Sequence, residues 1–375
     1  MSRLVALDLP GGPQFVDELC RIWDAGEAVL PIDQRLDHLA KQRLCAAMGA
    51  SAVVDGSSRT NLEAGSPTLP DDALVMSTSG TTGAAKGVVL THDALRASAD
   101  ASNRALAVSP NDHWLSCLPL SHVGGLSVVI RALLSGTPLT VHESFHAPDV
   151  ERAALEGCTL VSLVPTTLRR IDSDLFRTIL LGGSAAPGDR PKNVVATYGL
   201  TETGSGVVYD GRPLDGVEVQ ISDSGEVLLR CPMLMRGYRD GSTSIDADGW
   251  LHTGDAGTFE AGSLGVIGRL DDLIKSGGEK VWPEEVEKVI RRTMPITDFC
   301  ITGVDDPEWG QKVILVTTQS DIRLDEIRAK VKENLPAYCA PKEIVVVEAL
   351  PATSLGKVQR REAARMAARI LAERV

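Results

Sequence analysis

A basic surplus, long apolar runs and paired cysteines are all missing from this chain. Lys and Arg number 38 against 50 Asp and Glu, a formal net charge of −12. That balance argues against nucleic acid as a partner, because a phosphate backbone is bound by a basic surface. No apolar run approaches the roughly 20 residues of a membrane span. The opening segment, Met1 to Pro10, lacks an apolar core long enough for a signal peptide. The seven cysteines (Cys20, Cys45, Cys117, Cys158, Cys231, Cys300 and Cys339) are odd in number, scattered and without a C-x-x-C pair. They suggest neither a zinc site nor a disulfide framework. Internal repeats and low-complexity tracts are absent as well. The expectation is a soluble cytoplasmic protein with reduced thiols. With 43% hydrophobic residues over 375 positions, the chain can bury a large core and make two domains.

One stretch stands apart from this ordinary background. Thr78-Ser79-Gly80-Thr81-Thr82-Gly83-Ala84-Ala85-Lys86-Gly87-Val88 follows the apolar run Ala73-Leu74-Val75-Met76, which reads as a strand. Glycines let the backbone bend toward an anion. Hydroxyls and N–H groups donate to phosphate oxygens, and the lysine supplies a point charge. A phosphate-handling loop is therefore the first reading, with a flexible Ser/Thr/Gly linker as the bland one. It is not a Walker A loop. Ala85 precedes Lys86 and Gly87 follows it, so the magnesium-binding hydroxyl of that motif is out of place.

The pattern along the chain reads as α/β. A helix is expected over 15–23, a buried strand over 28–32 and a loop over 55–72. From 74 to about 200, short apolar runs (114–118, 139–141, 160–164, 178–181) alternate with helical stretches such as 149–156. That alternation argues layered α/β sheets. Short strands at 217–221, 226–229 and 265–268 suggest a small β subdomain. The tail reads α+β, with helices over 283–293, 324–334 and 359–373 and strands over 301–303, 313–318 and 343–347. The expected organisation is a large N-terminal domain over 1–270 and a smaller α+β C-terminal domain over 271–375. Their boundary is Gly268-Arg269-Leu270-Asp271-Asp272, which by itself reads as a plain turn.

The loop is one of several motifs that run in order from Thr78 to Lys357, about 280 residues. They are Leu118-Pro119-Leu120-Ser121-His122-Val123-Gly124-Gly125, Leu180-Leu181-Gly182-Gly183-Ser184, Tyr198-Gly199-Leu200-Thr201-Glu202-Thr203, Trp250-Leu251-His252-Thr253-Gly254-Asp255, Lys275-Ser276-Gly277-Gly278-Glu279 and Pro351-Ala352-Thr353-Ser354-Leu355-Gly356-Lys357. The ordered set resembles the adenylate-forming superfamily: acyl-CoA synthetases, peptide-synthetase adenylation domains and luciferases. The resemblance implies a carboxylate attacking the α-phosphate of ATP, then a thiol, usually coenzyme A, attacking the acyl carbon. Both steps gather negative charge and call for fixed cations and donors.

It also implies roles residue by residue. Ser79, Gly80, Thr81, Thr82, Gly83 and Lys86 would handle the β- and γ-phosphates. Glu202 would bind Mg²⁺, Thr201 would contact the α-phosphate and Tyr198, with Gly199 beside it, would stack near adenine. Gly182, Gly183 and Ser184 would line the base. Asp255 and Arg269 would hold the ribose, and Lys357 would stabilise charge at the α-phosphate. Gly277 and Gly278 would line the thiol path, and Asp271 would be the hinge of a mobile lid domain. Without the resemblance, Glu202 reads as a helix N-terminal acid, the Gly182-Gly183 pair as a tight turn, Asp255 and Arg269 as a surface salt bridge and Lys357 as a solvated lysine. One departure is length. The loop begins at 78 where typical members place it well past 100, so an abbreviated N-terminal subdomain is expected.

For the acid, His122 matches the histidine that borders the acyl site in the family, with a packed core histidine as the alternative. Behind it, Leu126 to Leu134 is an apolar helix-like run holding one arginine, Arg131. A buried arginine is costly unless it meets an anion; snorkelling to solvent is the other reading. The phrase H-V-G-G-L-S-V-x-x-R and the segment Val207 to Leu214 resemble one branch, the o-succinylbenzoyl-CoA synthetases of menaquinone biosynthesis. That resemblance implies a substrate with two carboxylates, one activated and the other held by Arg131. Another aryl- or fatty-acyl-CoA ligase and a non-catalytic nucleotide-binding relative stay open at this point. So does a luciferase-type oxidase. A peptide-synthetase adenylation domain would want an aspartate for an amino-acid α-amine and a neighbouring carrier domain, and a carrier domain is not expected here. Oligomeric state is not fixed by the sequence, a homodimer being one expectation.

Overall fold

The computed structural model of the chain describes residues 2–56, 58–63, 65–79, 85–183, 190–352 and 358–374, without the side chains of Ser79 and Ala85. Gly80, Thr81, Thr82, Gly83, Ser184 and Lys357 lie outside the described residues, as does the Ser79 side chain.

Strands β1 (Leu4–Asp8), β2 (Ala28–Pro31), β3 (Ala52–Asp55), β4 (Ser58–Asn61), β5 (Asp72–Ser79) and β6 (Ala85–Thr91) build the first sheet in the order β6-β5-β2-β1-β3-β4. Leu4 to Leu7 of β1 are fully buried. The strand pairs in parallel with β2 and β3, and apolar runs buried on both faces are what central parallel strands require. Helix α1 (Pro13–Asp24) starts with its proline in the first turn and buries Phe15, Leu19 and Ile22, one stripe at helical spacing. The Asp37 carboxylate caps α2 (His38–Met48) through the Ala40 N–H, and Gly49 closes it at φ 66°. Part of the expected 55–72 loop is instead β4, antiparallel to β3. All four β4 residues are exposed, so no apolar alternation announces it.

The second sheet runs β13-β12-β11-β10-β9-β7-β8. Its strands are β7 (Trp114–Ser116), β8 (Leu139–Val141), β9 (Leu160–Leu163), β10 (Thr178–Leu181), β11 (Val194–Leu200), β12 (Ser205–Tyr209) and β13 (Arg212–Pro213). Helices α3 (His92–Ala105), α4 (Val123–Ser135), α5 (Ala147–Leu155) and the single turn α6 (Pro165–Leu168) alternate with these strands. Asp112, 3% exposed, ties together the segments that lead into β7, β9 and β10. It accepts from Arg177 at 2.7 and 3.0 Å, from Thr159 at 2.8 Å and from the Ser109 hydroxyl at 3.0 Å.

A four-stranded sheet follows in the order β14 (Glu218–Ile221), β15 (Glu226–Arg230), β17 (Leu251–Glu260), β18 (Ser263–Arg269). Between its second and third strands, β16 (Gly237–Tyr238) leaves to pair antiparallel with β6 of the first sheet. The last sheet holds β19 (Ile274–Ser276), β20 (Glu279–Val281), β21 (Phe299–Asp306), β22 (Gly310–Thr317) and β23 (Glu343–Val346), with helices α7 (Pro283–Thr293), α8 (Leu324–Asn334) and α9 (Arg360–Ala372). The whole is a mixed α/β fold.

The chain divides into two compact units. Residues 1–220, 228–253 and 259–264 form the first; residues 221–227, 254–258 and 265–375 form the second. In the first, Leu115, Val161, Leu163, Ile179 and Leu181 build one core cluster and Leu4, Ala28, Leu30, Met48 and Val75 another. In the second, Val286, Ile290, Phe299, Leu315 and Ile327 share a cluster. All seven cysteines are free, and burial pushes every thiol upward: Cys117 and Cys300 to about 12, Cys231 and Cys339 to about 11. Among the described residues no helix is long and apolar enough to cross a membrane.

Candidate active site

Lys86 and Glu202 are brought together in the first unit by a residue the sequence reading did not single out, Tyr238. Lys86 stands on β6, opposite Thr78 of β5 in an antiparallel pair. The element after the loop is thus a strand, where a Walker A loop opens a helix. Tyr238 pairs with Val88 on the other side of β6, and its ring lies 4.5 Å under the Lys86 ammonium. Its hydroxyl donates to Glu202 Oε1 at 2.9 Å. Burial, with the Glu202 charge adding to it, pushes the Tyr238 phenol up and keeps it a donor. The backbone agrees, since the Met235 N–H donates to the Glu202 carbonyl at 2.7 Å. A tyrosine is visible in Met235-Arg236-Gly237-Tyr238, but nothing in that phrase says what lies opposite it.

Glu202 sits in a 3-10 turn, Thr201–Thr203, that Gly204 ends at φ 66°. Thr203 fastens the turn by donating to the carbonyls of Leu200 and Ser205. Just before it, the β11–β12 register shifts between Tyr198 and Gly199. A Cβ at Gly199 would lie 2.2 Å from the Ser205 carbonyl oxygen, so glycine is dictated by backbone approach. Tyr198 is half-buried on β11, and Thr201 is half-buried in the turn. Gly183 takes φ 86° after β10, while Gly182 passes 3.0 Å, at Cβ, from Thr197 Oγ1. One oxygen of Glu202 is bonded to Tyr238, and the other makes no hydrogen bond among the described residues. A single half-buried carboxylate with an open oxygen fits Mg²⁺, which keeps several waters and takes its remaining ligands from phosphates.

The same unit holds Arg131 and His122, on α4 and at its N-terminus. Arg131 does not snorkel; it is 2% exposed. Its Nη2 donates to Ser205 Oγ and its guanidinium lies 5.7 Å from the Trp114 ring centre. Nε and Nη1 have no hydrogen-bond partner among the described residues. Trp114 Nε1 and Ser127 Oγ, the latter one helical turn before Arg131, are likewise buried and unpartnered. Such orphaned donors are rare in native proteins and point to a polar occupant. His122 is not a packed core histidine. Its side chain is 31% exposed and faces Asp33 and Arg35.

In the second unit, Asp255 of β17 is 7% exposed and pairs with Arg269 Nη1 at 3.0 Å. Gly254 before it takes φ 70°, and a Cβ there would meet Arg269 Nη2 at 2.9 Å. The pair is therefore partly buried rather than a loose surface bridge. Gly277 and Gly278, at φ 62° and 85°, make the two-residue turn of the β19–β20 hairpin. The Trp309 ring lies 3.1 Å from a Cβ at Gly277, so a side chain there would displace it. Asp271 lies in the 3-10 turn Leu270–Asp272 and pairs with Arg361 at 2.8 Å. Its neighbour Asp272 pairs with Arg360, which also reaches Glu284 and Glu287.

The family model described as AMP-binding enzyme matches residues 47–239, and that of the AMP-binding enzyme C-terminal domain matches 285–357. The 2-succinylbenzoate–CoA ligase of Listeria monocytogenes serovar 1/2a is 35% identical over 324 residues, 78% of this chain and 69% of that one. The probable 2-succinylbenzoate–CoA ligase of Mycobacterium tuberculosis is 35% identical over 322 residues, 77% of this chain and 83% of its own. The o-succinylbenzoate CoA synthetase (MenE) of Bacillus subtilis, solved with the acyl-adenylate intermediate OSB-AMP, superposes with a TM-score of 0.85 at 26% identity, covering 96% of this chain and 87% of that one. The same enzyme solved with ATP and magnesium ion matches with a TM-score of 0.85 and 26% identity over 96% and 89%. With a family match over half its length and relatives at this identity, the chain belongs to the AMP-binding enzyme family.

Proposed function

We propose that this chain is an ATP-dependent, AMP-forming acid–thiol ligase. It activates 2-succinylbenzoate as an acyl-adenylate and transfers the acyl group to coenzyme A, in menaquinone biosynthesis in the cytoplasm. Arg131 carries the substrate half of this reading. A guanidinium 2% exposed, with two nitrogens unpartnered and no carboxylate beside it among the described residues, is unfavourable without an anion. A dicarboxylic acid supplies one carboxylate for that fork and keeps the other for chemistry. The relatives named for 2-succinylbenzoate support this class of acid over a fatty acid.

In the first half-reaction a carboxylate oxygen of the acid bonds to the α-phosphorus, and the bond to pyrophosphate breaks. Lys86 and the loop before it balance charge on the departing phosphates. Thr201 steadies the α-phosphate, and Glu202, oriented by Tyr238, would hold Mg²⁺, which when bound neutralises phosphate charge. Tyr198, Gly199, Gly182, Gly183 and Ser184 serve the base, and Asp255 with Arg269 the ribose. Lys357 stabilises the α-phosphate. In the second half-reaction the thiol sulfur bonds to the acyl carbon, the bond to AMP breaks and the thiol proton passes to solvent. Gly277 and Gly278 line the thiol's path, and Asp271 serves as the hinge of the 271–375 domain.

The test is CoA-dependent AMP formation from ATP and Mg²⁺, with 2-succinylbenzoate against a panel of benzoates and fatty acids. Strong selectivity for 2-succinylbenzoate is expected. Equal activity with monocarboxylic acids would overturn the substrate, and no AMP with any acid would overturn the ligase reading.

A further inference from the structure

His122 is gripped from a segment outside the family match, which begins at residue 47. After β2 the chain turns at Ile32 to Leu36, with the Leu36 N–H donating to the Asp33 carbonyl at 3.1 Å. The Asp33 carboxylate takes the Arg35 guanidinium in a fork, Nε to Oδ1 at 2.8 Å and Nη2 to Oδ2 at 2.5 Å. It also accepts from the Arg35 backbone N–H at 3.0 Å. The fork leaves Arg35 Nη2 3.1 Å from His122 Nε2, while Asp33 Oδ2 stands 3.7 Å from that nitrogen, beyond hydrogen-bond reach. A guanidinium has donors only and stays charged. At 3.1 Å, His122 Nε2 must therefore be the acceptor, with the ring proton on Nδ1.

We propose that Arg35, aimed by Asp33, is a positioning residue that locks His122 as the neutral, Nδ1-protonated imidazole, whose one N–H then serves the acid substrate. The surroundings agree. Burial works against charge on His122; Asp33 opposes that effect and Arg35 reinforces it, and the net result holds the ring below the ordinary histidine value. His122 is also the N-cap of the α4 helix, whose dipole disfavours a cation there. Burial works against the Asp33 charge, but the Arg35 hydrogen bonds outweigh it and hold that carboxyl below the usual range. The substrate half of the proposal rests on the reading that His122 borders the acid; the tautomer half does not.

The two halves are read separately on full-length protein carrying ¹⁵N-histidine. The ring nitrogens distinguish tautomers directly, and H122Q assigns the signal among the seven histidines. Wild type should show Nε2 unprotonated and Nδ1 protonated at pH 7.5. R35Q should lose that preference and raise the KM for the acid about tenfold while leaving the KM for ATP in place. R35K, which keeps a donor, should recover most of the tautomer signal. An unchanged tautomer in R35Q would overturn the proposal outright. A changed tautomer with an unchanged acid KM would overturn its substrate half and, with it, the placing of His122 at the acid.

Discussion

At the scale of single residues, the decisive groups are those whose polar atoms lack partners or have unexpected ones. Arg131 is the clearest. Replacing it by Ala removes a buried charged contact, and the KM for 2-succinylbenzoate should rise by the equivalent of about 2–5 kcal/mol while that for ATP barely moves. An acid KM within a factor of two of wild type would reject the anchor. Tyr238→Phe keeps the ring under Lys86 and deletes only the hydroxyl that Glu202 accepts from. The Mg²⁺ concentration for half-maximal pyrophosphate release should climb about fivefold, near 1 kcal/mol for one hydrogen bond. Titrating Mg²⁺ against both proteins settles it, since a role in packing alone would leave that midpoint fixed. Glu202 and Asp255 were singled out by the motifs that carry the family resemblance, and Arg131 by its place inside an apolar run. Tyr238, Asp33 and Arg35 were not, because each acts across a contact between segments distant in sequence.

Among the elements, Asp112 fastens three segments of the second sheet through one buried carboxylate. Burial opposes its charge, yet the hydrogen bonds from Arg177, Ser109 and Thr159 overcome it and bring the carboxyl down to about 2. A carboxyl whose pKa is lower folded than unfolded adds stability above the unfolded value, near 3.8. That contribution is lost as pH falls through the folded value, near 2. Allowing for solvent around Arg177, it amounts to about 1–2 kcal/mol. D112N should be less stable than wild type at pH 7 by about 2 kcal/mol, and the gap should narrow as urea unfolding is repeated from pH 5 down to 3. A gap independent of pH would show that shape rather than charge is at stake. The tail helices and the short apolar strands of the second sheet were readable, while α2 and α3 were not singled out. In α7, Val286 and Ile290 sit four apart and both are fully buried, with acids in the first turn and arginines in the last. Strand β17 was hidden in its own motif, because Leu251-His252-Thr253-Gly254-Asp255 carries little β-propensity and pairing overrides it. The β19–β20 hairpin was hidden likewise, its two turn glycines being read for the thiol path alone.

For the molecule as a whole, the charge argued against nucleic acid as a partner and the ordered motifs pointed to an α/β architecture; what they left unread was how the N-terminal strands join in. Strands β1 to β4 run within the first sheet, beside the β5–β6 pair on either side of the loop proposed to handle the phosphates. The uniformly raised thiols have a further consequence. A catalyst that makes a mixed anhydride of a carboxylic acid creates an electrophile able to acylate any thiolate it meets. Burial pushes four of its own thiols to about 11 or 12 and the other three upward as well, which disfavours the thiolate at each. Burial thereby limits acylation of the protein by its own intermediate. Incubated with acid, ATP and Mg²⁺ but no coenzyme A, it should retain its unmodified mass, and acyl adducts on cysteine would contradict this. The thiol of the incoming cosubstrate, which no such burial holds back, is then the better placed to intercept the activated acid.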